Sequence, residues 1–228
     1  MSIRFESLEE LSEEIIACRL CPRLVRFRET VPARKAFTNT QYWRKPVPGF
    51  GDPEAWLVIV GLAPAAHGGN RTGRVFTGDE TGRFLVQALY RTGFANQPES
   101  VSRDDGLKLK GCFLTAAVKC VPPDNKPTRE ECNNCSRYLD AEFYLLKNKK
   151  AILALGKIAF DACLDYVKRV GKSVRGLKFA HGARYQIDGV PELYASYHPT
   201  PRNTYTKKLT MEMMTDLLDK IKQNHMPR

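Results

Sequence analysis

Long apolar runs are missing from this chain of 228 residues. The longest charge-free apolar stretch, Ala55 to Ala66, is broken by Gly61 and Pro64. A bilayer span needs about 20 apolar residues, so no membrane helix is expected. The opening Met1-Ser-Ile-Arg-Phe-Glu has no apolar core of a secretory signal. An intracellular, cytoplasmic protein is therefore expected, in which thiols stay reduced. Repeats and low-complexity segments are absent as well. Acid is scarce: 36 Lys and Arg face 25 Asp and Glu, a net charge of +11. Between Cys18 and Gly51 there is one acid, Glu29, among eight basic residues. That surplus fits either a solvated surface or a polyanion partner whose phosphates it neutralises. Histidine is rare too, with four in the chain.

What is present is enough apolar sequence, 43% of residues, to bury a core. At this length one domain, 1–228, is expected. Residues Glu6 to Arg19 have helical spacing, and an irregular, basic, proline-marked stretch follows up to Pro53. Four short apolar runs then read as strands: Trp56–Leu62, Cys112–Val118, Ala151–Leu155 and Leu193–Tyr197. Helical stripes lie between them. One holds Phe84, Leu85, Leu89 and Tyr90. Another starts at Thr128 with Glu131 three residues on, a capping-box pattern. A third runs from Ile158 to Val167, and Leu209 to Ile221 closes the chain as a basic helix. Strands alternating with helices imply a parallel sheet, here four-stranded, covered on both faces. Ligands of such folds sit beyond the carboxyl ends of the strands. The chemistry is thus expected in the loops Ala63–Asp79, Lys119–Pro127, Gly156-Lys157 and His198–Asn203.

The first of these loops is rich in glycine but is no common phosphate clamp. Gly68 and Gly73 have P-loop separation, yet Arg74 and Val75 stand where Lys and Ser or Thr are required. The dinucleotide pattern Gly-x-Gly-x-x-Gly is also missing from this strand, so no nucleotide cofactor is expected. Asp79 ends the loop, and its plain alternative is a helix N-cap. For Phe76 the plain alternative is a core aromatic.

Seven cysteines include two Cys-x-x-Cys pairs, Cys18/Cys21 and Cys132/Cys135. Two such pairs in a reduced environment indicate a metal site, zinc or iron–sulfur, which spacing alone does not separate. The ligands are Cys18, Cys21, Cys132 and Cys135, or the same set with Cys120 in place of Cys132. Cys112 and Cys163 read as buried thiols.

Four elements together resemble the uracil-DNA glycosylase superfamily. They are the N-terminal Cys-x-x-Cys, Gly61-Leu-Ala-Pro-Ala…Arg74-Val-Phe-Thr-Gly-Asp79, Lys119-Cys-Val-Pro-Pro-Asp-Asn-Lys-Pro127, and Ser196-Tyr-His-Pro-Thr-Pro-Arg-Asn203. The match is to the iron–sulfur branch known as family 5, or type B. It runs from about Cys18 to about Asn203. The resemblance implies a three-layer α/β/α sandwich, a 4Fe-4S cluster on an N-terminal segment 1–52, and hydrolysis of the N-glycosidic bond of uracil in DNA. It also favours Cys18, Cys21, Cys120 and Cys135 as ligands, since Cys120 lies in the Lys-Cys-x-Pro-Pro element and Cys135 precedes Ser136-Arg-Tyr-Leu139. Better-known branches carry a polar residue where this chain has Ala63, and an Asn where it has Ala116. The catalytic base is thereby moved, by resemblance, to Asp79. Substrates beyond uracil, such as hypoxanthine, are implied.

The chemistry fits those residues. Breaking the bond builds positive charge on the sugar and negative charge on the base, so an anion and hydrogen-bond donors are needed. Asp79, ionised at an ordinary carboxylate pKa near 4, would face the sugar and orient water. His198 would donate to the departing base. Phe76 would stack on the extruded base and Asn125 would read its edge. Amides of the Leu62–Ala66 turn, Ala63 among them, would add donors. The loop from Pro199 to Thr204 would wedge into DNA, with Arg202 on a phosphate or groove. For His198 the plain alternative is an imidazole satisfied by a backbone carbonyl. His67 has no assigned role. The expected partner is DNA bearing uracil or other deaminated bases, bound by a monomer. The competing reading is a zinc- or cluster-stapled nucleic-acid-binding protein without catalysis.

Overall fold

A computed structural model describes residues 5–226. Four strands form its centre: β2 (Leu57–Gly61), β3 (Cys112–Ala116), β4 (Ala151–Leu155) and β6 (Glu192–Ser196). Every residue in them is buried, as near-continuous apolar runs demand of a sheet covered on both faces. They pair in parallel in the order β3-β2-β4-β6. These are the four parallel strands expected, but the sheet is not purely four-stranded: among the described residues it has six strands. Two-residue strands β1 (Phe50–Gly51) and β5 (Arg184–Tyr185) pair antiparallel with β3 and β6 at the two edges. Strands this short carry no period and no apolar run, and they keep the edges short.

The side-chain alternation of β2 divides the core. Leu57 and Ile59 face one layer, built on α4 (Glu80–Arg91), which follows the one-turn α3 (Gly69–Thr72), and on α8 (Met211–His225). Val58 and Val60 face the other, built on α5 (Arg129–Leu145) and α6 (Lys157–Arg169). A three-layer α/β/α sandwich results. Thr128 caps α5, and the reciprocal bond from the Thr128 amide to the Glu131 carboxylate completes the expected capping box. The closing helix runs four residues past the expected Ile221, with Thr210 as its cap.

A third apolar cluster holds the N-terminal segment in place. Helix α1 (Leu8–Ala17) buries Leu11 and Ile15, and α2 (Pro22–Thr30) buries Leu24, against Val118 and Tyr138. Cys120 and Cys135 belong to this cluster, and Cys18, Cys21, Cys132 and Ala63 pack against it.

Strand order sets where a ligand enters. From β2 the chain moves outward to β3, then returns across β2 to β4 and β6. The switch point lies between β2 and β4, where the two outgoing connections diverge, the place at which folds of this kind bind ligands. Val60 pairs with Ala154, so Gly61 and Gly156 emerge near the same level. Among the described residues, no helix is long and apolar enough to cross a membrane.

Candidate active site and cysteine centre

Asp79 occupies the N-cap of α4, and its Oδ1 accepts the amide of Gly82 at 2.8 Å. The cap and the functional reading therefore describe one carboxylate with two oxygens in different settings. Oδ2 lies against Gly68, where a Cβ would stand 1.9 Å from it. Only a residue without a side chain allows this approach. Burial pushes the Asp79 carboxyl above its ordinary value, against the pull of the Gly82 and Thr81 amides and of Arg71.

Phe76 adopts a left-handed backbone, φ +48°. Its ring lies over the carboxyl end of β2, with Cζ 2.6 Å from where a Gly61 Cβ would be. The ring is half-buried and packs beside the core, so its inner part is structural while its outer part stays accessible. In the turn between, the amides of Ala63, Ala65 and Ala66 meet no acceptor among the described residues. Those N–H groups are free to donate to a ligand.

His198 follows β6 and rests on the tip of β4, its Cβ 3.1 Å from the position a Gly156 Cβ would take. Gly156 has φ +88°, a left-handed turn that glycine makes without strain. Nδ1 of His198 is buried with no hydrogen-bond partner. The alternative of an imidazole satisfied by a carbonyl is thus not met. Burial lowers its pKa to about 4, so the ring is neutral at neutral pH. Its backbone oxygen accepts the Asn203 Nδ2 at 2.8 Å, which fixes the following turn.

The remaining sequence candidates are less central. Asn125 is exposed in a 3₁₀ turn, Pro123–Asn125, at φ +55°. It makes no hydrogen bond to Phe76, Asp79 or His198. The expected wedge loop from Pro199 to Thr204 instead contains a short helix, α7 (Pro201–Tyr205), capped by Thr200. Arg202 is exposed on it, and Tyr205 is the most exposed of the large apolar residues. Arg74, in the position of a P-loop lysine, is buried and paired with Asp105 at 2.7 Å. It braces the loop and has no charge free for a phosphate.

Sequence reasoning missed the residues that hold the glycine loop from outside. Tyr42 Oη meets His67 Nδ1 at 3.0 Å, which gives His67 a partner. The amides of Trp43 and Arg44 donate to the carbonyls of Arg71 and Asn70. Asn70 Nδ2 donates to the Arg28 carbonyl at 3.2 Å. No local pattern encodes these long-range bonds.

The cysteine centre joins the loop through Arg28. Its Nη1 donates to Cys120 Sγ at 3.0 Å and its Nη2 to the Cys18 carbonyl at 3.1 Å. Lys119 N donates to Cys135 Sγ at 3.3 Å and Asn134 Nδ2 to Cys21 Sγ at 3.6 Å. Such donors are what sulfur ligands receive around a metal centre. Burial raises the Cys120 thiol to about 11 and that of Cys135 to about 12. Cys120 lies in the field of Cys18 and Cys21, and Cys135 in that of Cys120 and Cys18. Of these four sulfurs, Cys132 lies in the field of Cys21 alone. Among the described residues, no three His, Cys, Asp or Glu are gathered as for a single ion. A cluster of several irons holds its thiolates farther apart than one ion does. Four neighbouring sulfurs, three of them with N–H donors and one of those three bonded to a buried guanidinium, fit such a group.

Of the eight basic residues between Cys18 and Gly51, Arg19, Arg23, Arg26, Arg34, Lys35 and Lys45 are exposed. Arg19 pairs with Glu29 and Arg23 with Glu131. The other four form no ion pair among the described residues.

The fold and site define a doubly wound α/β protein with an acid and a neutral imidazole beside its switch point. The family model described as "Uracil DNA glycosylase superfamily" matches residues 48–222, and the chain belongs to that superfamily. It is 49% identical over 216 residues to a type-5 uracil-DNA glycosylase of Thermus thermophilus, covering 94% of this chain and 97% of that protein. It is 44% identical to a type-5 uracil-DNA glycosylase of Pyrobaculum aerophilum, covering 92% and 90%. A type-4 uracil-DNA glycosylase of the same organism is 34% identical, covering 84% and 82%.

Proposed function

We propose that the protein hydrolyses the N-glycosidic bond of uracil, and of other deaminated bases such as hypoxanthine, in DNA. The target nucleotide leaves the stack and enters the crevice between the tips of β2 and β4. Water adds to the anomeric carbon, the bond from that carbon to the base nitrogen breaks, and the base departs with the bonding pair. An abasic site remains. Asp79 Oδ2 orients the water, takes up its proton and stabilises positive charge on the sugar. Neutral His198 donates a ring N–H toward the oxygen where the base collects negative charge. Amides of the Ala63–Ala66 turn add donors there, and Phe76 stacks on the base. Asn125 and Arg202 contact the base edge and the backbone. With alanine at positions 63 and 116, discrimination rests more on shape than on hydrogen-bond readout, which widens the substrate range.

The observation that carries this reading is the buried Nδ1 of His198, left without a protein partner at the end of the sheet where ligands bind. A neutral, unpartnered imidazole is kept at its desolvation cost when something else will bond to it. Exposed Arg26, Arg34, Lys35 and Lys45 supply charge for a polyanion.

Cys18, Cys21, Cys120 and Cys135 are the proposed ligands of a 4Fe-4S cluster. Bound there, the cluster staples the N-terminal helices to the loop after β3 and to α5. The reading is tested by incubating the protein with duplexes carrying uracil, hypoxanthine or xanthine, followed by alkali. Strand nicks at uracil and hypoxanthine are expected. A protein that binds these duplexes and nicks none of them would instead be the non-catalytic nucleic-acid-binding module.

A further inference from the structure

Arg28 is the one buried member of the basic N-terminal segment, 2% exposed. A guanidinium out of water needs an anion or a full set of acceptors, because an unpaired buried charge is strongly destabilising. Neither is supplied by the surrounding protein. The nearest carboxylate, Glu29, is 3.9 Å away and more than a third exposed. Nε has no partner. The remaining contacts are the Cys120 sulfur and the Cys18 carbonyl.

We propose that Arg28 is the buried counter-charge of the cysteine centre: its guanidinium offsets the negative charge of the liganded thiolates at Cys120 while its carbonyl holds Asn70 of the loop that ends in Asp79. The inference rests on the cluster reading above. Cluster-bound thiolate supplies the missing anion, so the cationic side chain and the anionic centre stabilise each other. An N–H bond and a positive charge beside a cluster sulfur both favour the reduced state. Arg28 is a positioning residue and touches no substrate.

The test uses the protein as purified, with its iron. Wild type, Arg28→Gln and Arg28→Lys are compared for iron per chain, for loss of the visible cluster absorbance in chelator, and for reduction potential. Far-UV circular dichroism checks folding. Arg28→Gln is expected to lose iron about tenfold faster or more, the size of effect seen when a partner of a metal ligand is removed. Its potential is expected to move to more negative values. Arg28→Lys keeps the charge and is expected to hold iron better than Arg28→Gln. Iron loss and potential in Arg28→Gln equal to wild type would overturn the proposal and leave the cluster reading standing. Wild type purified without a metal would overturn both. Should Arg28→Gln fail to fold, Arg28→Lys decides: folding with iron supports the counter-charge, and failure or equally rapid loss contradicts it.

Discussion

Asp79 Oδ2 and Gly68 share a space that admits no side chain, with 1.9 Å between the oxygen and the place a Cβ would occupy. The carboxylate is therefore positioned from two directions, by the Gly82 amide on one oxygen and by bare backbone beneath the other. Gly68→Ala must push Asp79 aside. Cleavage of uracil-containing duplex is expected to fall by about 100-fold, since small misplacements of a catalytic group have effects of that size. Iron content is expected to match wild type. Unchanged cleavage would show that the cradle does not set the carboxylate.

The raised pKa of Asp79 has a consequence for stability. A carboxyl whose folded pKa lies above its unfolded one stabilises the fold below the unfolded value, and loses that contribution as pH rises. At neutral pH the charge is a burden that catalysis retains. Asp79→Asn keeps a good N-cap and removes the charge. Its melting temperature at pH 7 is expected to equal or exceed that of wild type, while cleavage collapses. A clear drop in melting temperature would mean that the carboxylate chiefly holds the helix.

His198 acts in the opposite direction. Its folded pKa, about 4, lies below the ordinary value of 6.5. The unfolded chain takes up a proton on this ring that the folded protein refuses. Stability contributed by the neutral ring is complete above pH 6.5 and is lost as pH falls toward 4. The loss is about 3 kcal/mol over that window, at 1.36 kcal/mol per pKa unit. Replacing His198 with Gln is expected to flatten the acid side of the denaturation profile by that order. An unchanged profile would place the imidazole in contact with water.

The choice between Cys120 and Cys132 is open to direct test. Cys120→Ser is expected to release iron and Cys132→Ser to retain it, measured as iron per purified chain. The reverse result would restore the two Cys-x-x-Cys pairs as the ligand set.

The parts of the fold written in local pattern were legible. Leu57–Gly61 reads as a buried strand because its apolar run is unbroken, and Thr128 with Glu131 marks the start of α5 by its own bonds. The edge strands at Phe50 and Arg184 were not legible, because two residues carry no period. At the site, His198 stands out as a polar residue just past an apolar run, whereas Asp79, at the far end of its loop, is singled out by the resemblance of that loop. Arg28 does not stand out, since one arginine among eight basic residues gives no sign of its burial. Tyr42 with His67, and Asn70 with Arg28, meet across sequence distance. Only folding brings such pairs together. The helix Pro201–Tyr205 was hidden by Pro199 and Pro201, the second of which opens it at a position where proline is tolerated.

The central claim is that Asp79 acts on the transition state of glycosidic cleavage. Single-turnover cleavage of a uracil-containing duplex and equilibrium binding of the same duplex, measured side by side for wild type and Asp79→Ala, test it most directly. The account predicts cleavage slowed by about 100-fold or more with binding nearly unchanged. Equal losses in rate and binding would contradict it and leave Asp79 as no more than the cap of its helix.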